Sequence, residues 1–420
     1  MLPLELIRKD PDRVRRAAEL KGEPAPVDEI LELDQRWRAT LMQAEEMRAA
    51  QKILSKQYAQ TRDDHVLAQL KTMADQVKSL TSEADALRAK LDDLLLRVPN
   101  IFHESVPVGE TDADNVVVRE WGSKPALGFV ARTHYDLGET LGIMDFERAA
   151  RVSGSRFAFL LGEGARLERA LVQFMLDVHT REHGYTEVLP PVLVSSASMT
   201  GTANLPKFGA DAFKVEGHDL WLVPTSEVPL TNFHREEILE GERLPLKYVA
   251  YSPCFRSEAG AAGKDTRGYI RLHQFSKVEL VKVTTAETSM DEFEKLTADA
   301  EDILKRLGLH YNVLAMCTGD MGFAQYKKYD LNAWCPGLDR YLEVSSCSVF
   351  KDFQAMRANI RYRPARGAPP RFAHTINGSG LALARTIDAI IETNQRADGT
   401  ITIPAALRPY MGGLDVIGAR

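Results

Sequence analysis

The sequence predicts an α+β fold: a long antiparallel coiled-coil hairpin near the N-terminus, then an antiparallel sheet flanked by helices. Three observations carry that prediction. Apolar residues recur at alternating three- and four-residue steps through two matched stretches before Pro99. Beyond Pro99 the texture changes to short strand-like runs mixed with amphipathic helices. Those strand runs outnumber the helices between them, and several are linked without a crossover helix, which argues against a doubly wound parallel sheet.

The hairpin is the most regular element. Ile30, Leu33, Trp37, Thr40, Ala44, Met47, Gln51, Leu54 and Tyr58 form one heptad seam. Leu70, Met73, Val77, Leu80, Ala84, Leu87, Leu91, Leu94 and Val98 form the second. The polar stretch Thr61–His65 separates them, and neither run contains Gly or Pro. A short polar break between matched seams predicts antiparallel helices of roughly 30–35 residues, an arm of about 45–50 Å. Pro99 is expected to end the second helix. From Asp28 to Val98 there are 11 basic and 13 acidic residues, so the arm is no polycation. Any RNA contact must come from a stripe such as Arg36, Arg48, Lys52, Lys56, Lys71 and Lys78.

After Pro99, strands are expected at 115–120, 221–224, 247–251, 275–283 and 341–348, with helices at 166–179 and 290–307. The 420 residues suit two or three domains. A net charge of −6 gives no bulk sign of a nucleic-acid partner. Cys254, Cys317, Cys335 and Cys347 form no C-x-x-C pair, which suits free thiols in a reducing compartment. The N-terminal stretch becomes charged by Arg8, and no run approaches membrane-spanning length, so a cytoplasmic protein is expected.

The usual phosphate-binding motifs are missing. There is no G-x-x-x-x-G-K-[ST] loop, and Gly162-Glu163-Gly164 lacks the third glycine of a dinucleotide fingerprint and reads as a turn. His179 and His183 lack the zinc-binding H-E-x-x-H order and read as a satisfied helix surface.

The arginines say more. Phe255-Arg256-Ser257-Glu258 ends an apolar strand, a loop with Gly260, Gly263 and Gly268 follows, and Arg271-Leu272-His273-Gln274-Phe275 enters another strand. Two strands each presenting an arginine can clamp a polyphosphate, with Phe275 under a purine and Glu258 near its amine. An ordinary ion pair between Arg256 and Glu258 is the plainer alternative. Asn377-Gly378-Ser379-Gly380 reads as a glycine-rich turn leading into a helix at 381–391, which places Arg385 one turn in. Glu343-Val344-Ser345-Ser346 offers oxygen ligands of the kind Mg²⁺ prefers.

Together these segments resemble the three signatures of class II aminoacyl-tRNA synthetases. Gly184–Pro191 is similar to the first, a dimer-interface element ending in proline; 255–258 with 271–275 to the second; 378–385 to the third. Thr225-Ser226-Glu227 in VPTSEVPLTN, HQFSKVEL, EVSSCS, NGSGLALART and IPAALRPYMGG further resemble the bacterial-type branch of the seryl-tRNA synthetase family, over essentially the whole chain. Ala384 departs from the glycine many members carry.

The resemblance implies an N-terminal tRNA-binding domain over 1–100, with its arm at about 27–98, and a catalytic domain over 101–420. It implies serine activation by ATP and transfer to serine tRNA by a homodimer, with selenocysteine tRNA as a second candidate. Arg256, Arg271 and Arg385 would be catalytic, and Thr225, Ser226, Glu227, Glu279 and Ser379 would line the serine pocket. ATP would meet Arg256, Ser257, Glu258, Leu272, Phe275, Glu343, Val344, Ser345, Ser346 and Arg385, with Mg²⁺ on Glu343 and Ser346. A loader of amino acids onto a carrier protein, and a catalytically dead adaptor, are the rival readings; the arm argues against the first and the intact arginines against the second.

Overall fold

The structure, a computed structural model, describes residues 1–259 and 267–418. The chain forms two compact units, Met1–Ile101 and Phe102–Arg420.

In the first unit, two short helices, α1 (Leu4–Lys9) and α2 (Pro11–Leu20), precede the long helices α3 (Val27–Thr61) and α4 (Asp64–Leu95). Every residue of the two heptad seams is buried or half-buried. The break between the helices is narrower than the polar stretch suggested. Arg62 takes a left-handed conformation (φ 53°) that closes α3, and the Asp63 side chain accepts from His65 N to open α4, so two residues make the turn. The helix α4 also stops short of Pro99: Arg97 and Val98 donate three residues back, to Leu94 and Leu95, tightening the last turn. Helices α1 and α2 escaped the sequence reading. They bury Ile7, Val14 and Ala17, and Arg8 donates to the buried Asp34 of α3 at 2.8 Å.

The second unit is built on eight strands: β1 (Val116–Trp121), β2 (Thr186–Glu187), β3 (Leu246–Phe255), β4 (Gln274–Thr284), β5 (Tyr311–Ala315), β6 (Lys327–Cys335), β7 (Arg340–Lys351) and β8 (His374–Ala382). Their order is β1-β5-β6-β7-β8-β4-β3-β2, antiparallel throughout except for the edge pair β2/β3. Helices α6 (Glu163–Arg181), α7 (Ser289–Arg306) and α8 (Leu383–Thr393) pack against this sheet, and α5 (His134–Thr140) packs against α8. One core joins α6, α7 and α8 to the sheet through residues such as Leu171, Leu296, Ile387, Leu280 and Val344. All four cysteines are free and buried.

Two local readings change. The predicted glycine turn at 377–380 is strand: Asn377–Ala382 completes β8, and the helix starts at Leu383. The glycines serve close strand packing. A Cβ on Gly378 would stand 2.4 Å from Leu296 Cδ2 and 2.9 Å from Cys347 Sγ; one on Gly380 would stand 2.8 Å from His179 Nε2. Gly378→Ala should therefore lower stability by about 1–3 kcal/mol through overpacking, read as a drop in melting temperature; an unchanged melt would contradict this packing. His179, expected on a helix surface, is buried, with its Nδ1 3.0 Å from His183 Nδ1. Gly162 (φ 50°) caps α6, as a turn residue should.

Candidate active site

Strands β3 and β4 pair from Leu246↔Val283 to Phe255↔Gln274, and Arg256 N continues the ladder by donating to His273 O. Arg256 therefore leaves the sheet beside the returning segment that carries Arg271. Its guanidinium lies 5.1 Å from the Phe275 ring centroid, and its Nε donates to Pro224 O at 3.4 Å. Glu258 pairs with Arg271, not Arg256: Arg271 Nη1 donates to Glu258 Oε2 at 2.6 Å. Glu258 also holds a left-handed backbone (φ 52°), which a non-glycine residue keeps only when its surroundings enforce it. Neighbouring Ser257 supplies part of that restraint, donating from N to Asp211 O and from Oγ to Ala210 O. Gly260 and Gly263 lie outside the described residues.

Arg385 sits in the first turn of α8. Its Nε donates to Ile270 O at 3.1 Å and its Nη1 to Glu343 O at 2.9 Å, with the Glu343 carboxylate 3.6 Å away. The pairing of Glu343 with Ser346 needs an irregular strand, since residues three apart on a regular strand face opposite ways. The β6/β7 register slips at this point, Leu331 opposing Ser345 and Asn332 opposing Glu343, so Val344 is an extra residue. That bulge turns Glu343 and Ser346 into the same cleft. Burial pushes the Glu343 carboxyl up, but the charges of Arg385, Lys328 and Arg256 outweigh it and hold the group below its ordinary value. Asp330 beside them is driven up to about 6, chiefly by burial, and its Oδ1 has no partner.

Arg256, Arg271, Leu272, Phe275, Glu343, Val344, Ser346, Ser379 and Arg385 line one cleft. A second is lined by Asn204, Phe208, Thr225, Glu227 and Gln325. Arg256, Glu258 and Arg271 border both, so the two open onto each other there. The second cleft is acidic where the first is cationic. Glu227 Oε1 accepts from Gln354 Nε2 at 2.6 Å. Glu279 lines neither cleft and lies buried behind Thr225, accepting from its Oγ1 at 3.1 Å and ion-pairing with Lys277. Burial, reinforced by Glu279, pushes Glu227 up to about 7.

Three of the predicted residues turn their side chains elsewhere. Ser226 Oγ bonds to Ser252 Oγ at 2.5 Å, Ser345 Oγ donates to Ser379 O at 2.7 Å, and Ser257 is held by 210–211 as above. Lys277 and Gln354 were missed. Lys277 had a signal, two residues before Glu279 on one strand face; Gln354 had none, because only the fold carries it to Glu227 and Thr375. In the Gly184–Pro191 segment, Tyr185 is buried, β2 forms the sheet edge, and Leu189 is 90% exposed.

The arrangement suits two reactants that meet at Arg256. One is a polyanion with a flat ring. The other is a zwitterion, its ammonium toward Glu227 and its carboxylate toward Arg256.

Known proteins agree on where this leads. Residues 1–102 match the seryl-tRNA synthetase N-terminal domain, and residues 212–394 match the tRNA synthetase class II core domain (G, H, P, S and T). The serine--tRNA ligase of Caldanaerobacter subterraneus is 52% identical over 99% of both chains, and that of Desulforudis audaxviator 53% over 99% of both. Among solved structures, seryl-tRNA synthetase from Pyrococcus horikoshii complexed with ATP superposes with a TM-score of 0.94 at 40% identity, covering 99% of each chain. The cytoplasmic serine-tRNA ligase of Naegleria fowleri in complex with AMP gives 0.89 at 32%, covering 99% of this chain and 98% of that one.

Proposed function

The chain belongs to the seryl-tRNA synthetase family, and from that premise we propose how its residues divide the reaction. It is a class II enzyme that activates L-serine with ATP to seryl-adenylate and transfers the seryl group to tRNA(Ser). In the first step the serine carboxylate attacks the α-phosphorus and the bond to pyrophosphate breaks. In the second a ribose hydroxyl of the tRNA 3′ end takes the acyl group, and AMP leaves. Neither step needs a protein nucleophile, so positioning and charge neutralisation carry the catalysis.

The observation that supports this assignment best is the meeting of a cationic and an acidic cleft at Arg256. Arg256 holds the α-phosphate and the attacking carboxylate together and neutralises the charge that develops there. Arg271 and Arg385 take the outer phosphates, and Phe275 stacks on adenine. Binding of ATP by Arg271 requires sharing its guanidinium with Glu258, which in turn faces the adenine amine. Thr225, Glu227 and Ser379, with Glu279 behind Thr225, bound the serine pocket, whose buried polar groups reject alanine by being left unpaired.

Glu343 and Ser346 fit Mg²⁺: both present hard oxygens to the cleft, Glu343 stays anionic, and Asp330 keeps an orphaned oxygen nearby. Among the described residues no three His, Cys, Asp or Glu side chains form a cage. The protein thus supplies few ligands, as suits an ion completed by phosphate oxygens. When bound, the ion offsets phosphate charge.

Exchange of pyrophosphate into ATP, run with a panel of amino acids, tests the assignment. Serine alone should support rapid exchange; rapid exchange with another amino acid, or none with serine, would refute it. The serine pocket has its own check. The ammonium needs an anionic Glu227, whose carboxyl titrates near 7 before substrate arrives. The KM for serine should be level above about pH 7 and climb by up to roughly tenfold per unit below it. Glu227→Gln should raise KM and flatten the profile, while a flat wild-type profile would remove Glu227 from the pocket.

The partner beyond the acceptor end is read from the arm. Arg36, Arg48, Lys52, Lys56, Lys71 and Lys78 are all exposed, a set of cations for the backbone of serine tRNA. The exposed Leu189 beside edge strand β2 supports homodimer formation through 184–191. No described helix is long and apolar enough to cross a membrane, in keeping with a cytoplasmic enzyme. Selenocysteine tRNA is a second substrate to test, by measuring its charging with serine.

A further inference from the structure

His134, at the start of α5, lines neither cleft and is fully buried. Its surroundings dictate its protonation. Four N–H groups converge on Glu392 of α8: His134 N at 2.9 Å and Nδ1 at 2.7 Å on Oε1, Gly337 N at 2.8 Å and Leu338 N at 3.1 Å on Oε2. Glu392 is therefore the acceptor, and the imidazole proton sits on Nδ1. That leaves the Nε2 lone pair free to accept, and Tyr269 N donates to it at 3.3 Å. The contact continues along the chain. Ile270 O accepts from Arg385 Nε, and Arg271 reaches Glu258. Gly268 (φ 82°) is packed so closely on the ring that a Cβ would stand 2.5 Å from Nε2.

We propose that His134 is a positioning residue for adenylate formation: its neutral imidazole ties the Tyr269 amide, and with it the Ile270–Arg271 segment, to the helix that carries Arg385. The two arginines assigned to the outer phosphates are thereby held in one frame. The proposal rests on that assignment.

The same site contains the means to release the tie. Asp388, one turn before Glu392, is fully buried, and neither of its carboxyl oxygens has a hydrogen-bond partner. Its Oδ2 lies 3.6 Å from His134 Nε2. A second proton on the ring would sit on Nε2 and be drawn to Asp388, and the Tyr269 amide would lose its acceptor. Burial opposes the imidazolium, but Asp388, Glu392 and Asp136 together favour it and raise the histidine above its ordinary value. Asp388 itself is pushed up to about 7, by burial first and then by Glu392, against His134 and Arg385. The Tyr135 ring packs edge-on against the imidazole, centroids 5.1 Å apart, and of the other neighbours the Cys335 thiol and the Tyr269 phenol are both driven upward by burial. The grip on Tyr269 thus weakens as pH falls.

The test is steady-state ATP–pyrophosphate exchange by the full-length chain. His134→Asn keeps a donor toward Glu392 and removes the acceptor for Tyr269; it should raise KM for ATP about tenfold and leave KM for serine unchanged. His134→Gln returns an oxygen near the Nε2 position and should recover most of that loss. Asp388→Asn withdraws the imidazolium's partner, so the acid limb of kcat/KM for ATP, taken at saturating serine, should move about one unit lower. Wild-type KM for ATP in H134N, equal impairment of H134N and H134Q, or an unmoved limb in D388N would each overturn the proposal. Arg385→Ala separates it from its foundation. A defect in R385A without one in H134N removes the tie alone, while a normal KM for ATP in R385A removes the phosphate assignment beneath it.

Discussion

Arg256→Ala should lower serine-dependent ATP–pyrophosphate exchange by at least about 10²–10³-fold, the loss typical of removing one preorganised charge from a developing oxyanion. The expectation follows from what else could do the work. Arg271 is engaged with Glu258, and Arg385 with Ile270 and Glu343, whereas Arg256 makes one long hydrogen bond to Pro224 O and borders both clefts. The loss should fall mainly on kcat, because the charge it meets is greatest in the pentacovalent transition state. Arg256→Lys should rescue only partly. It restores a charge but neither the planar fork nor the stacking on Phe275. Near-normal exchange in R256A would end its role at the α-phosphate.

The second large effect concerns the arm. Replacing residues 48–76 by a two-residue turn should leave pyrophosphate exchange within about twofold, since Met1–Ile101 and the synthetic clefts belong to separate compact units. Charging of tRNA at sub-saturating concentration should fall by on the order of a hundredfold or more, the affinity carried by several phosphate contacts. Raising the salt concentration should weaken wild-type charging and affect the shortened enzyme much less. Equal loss of exchange and charging would mean that the hairpin serves folding and not tRNA.

What could be read from the sequence follows the range of the forces involved. The hairpin was legible to the residue because a heptad seam is a local repeat. Its ends were not, since Arg62 and Asp63 share one tight turn and α4 unwinds before Pro99. The arginines were legible as chemistry, yet their partners were not: Glu258 chose Arg271 over Arg256, a choice made where two strands meet. Gly378 and Gly380 look like a phosphate turn because glycine signals only that a side chain is forbidden. What forbids it, Leu296 on one helix and His179 on another, lies far along the chain. Gln354, His134 and Asp388 carried no local mark at all. Each matters through neighbours that only the folded sheet supplies.

The extra residue at Val344 has a consequence for how this strand can change through descent. Side chains on a strand are read by parity, and Val344 switches the parity between Glu343 and Ser346. The bulge and the extra residue stand or fall together: a strand straightened while keeping residues 343–346 would send one of the two side chains to the wrong side of the sheet. Losing Val344 together with its bulge would leave Glu343 and Ser346 two apart on a regular strand and on one side, so the change that damages this pair is the straightening, not the shortening.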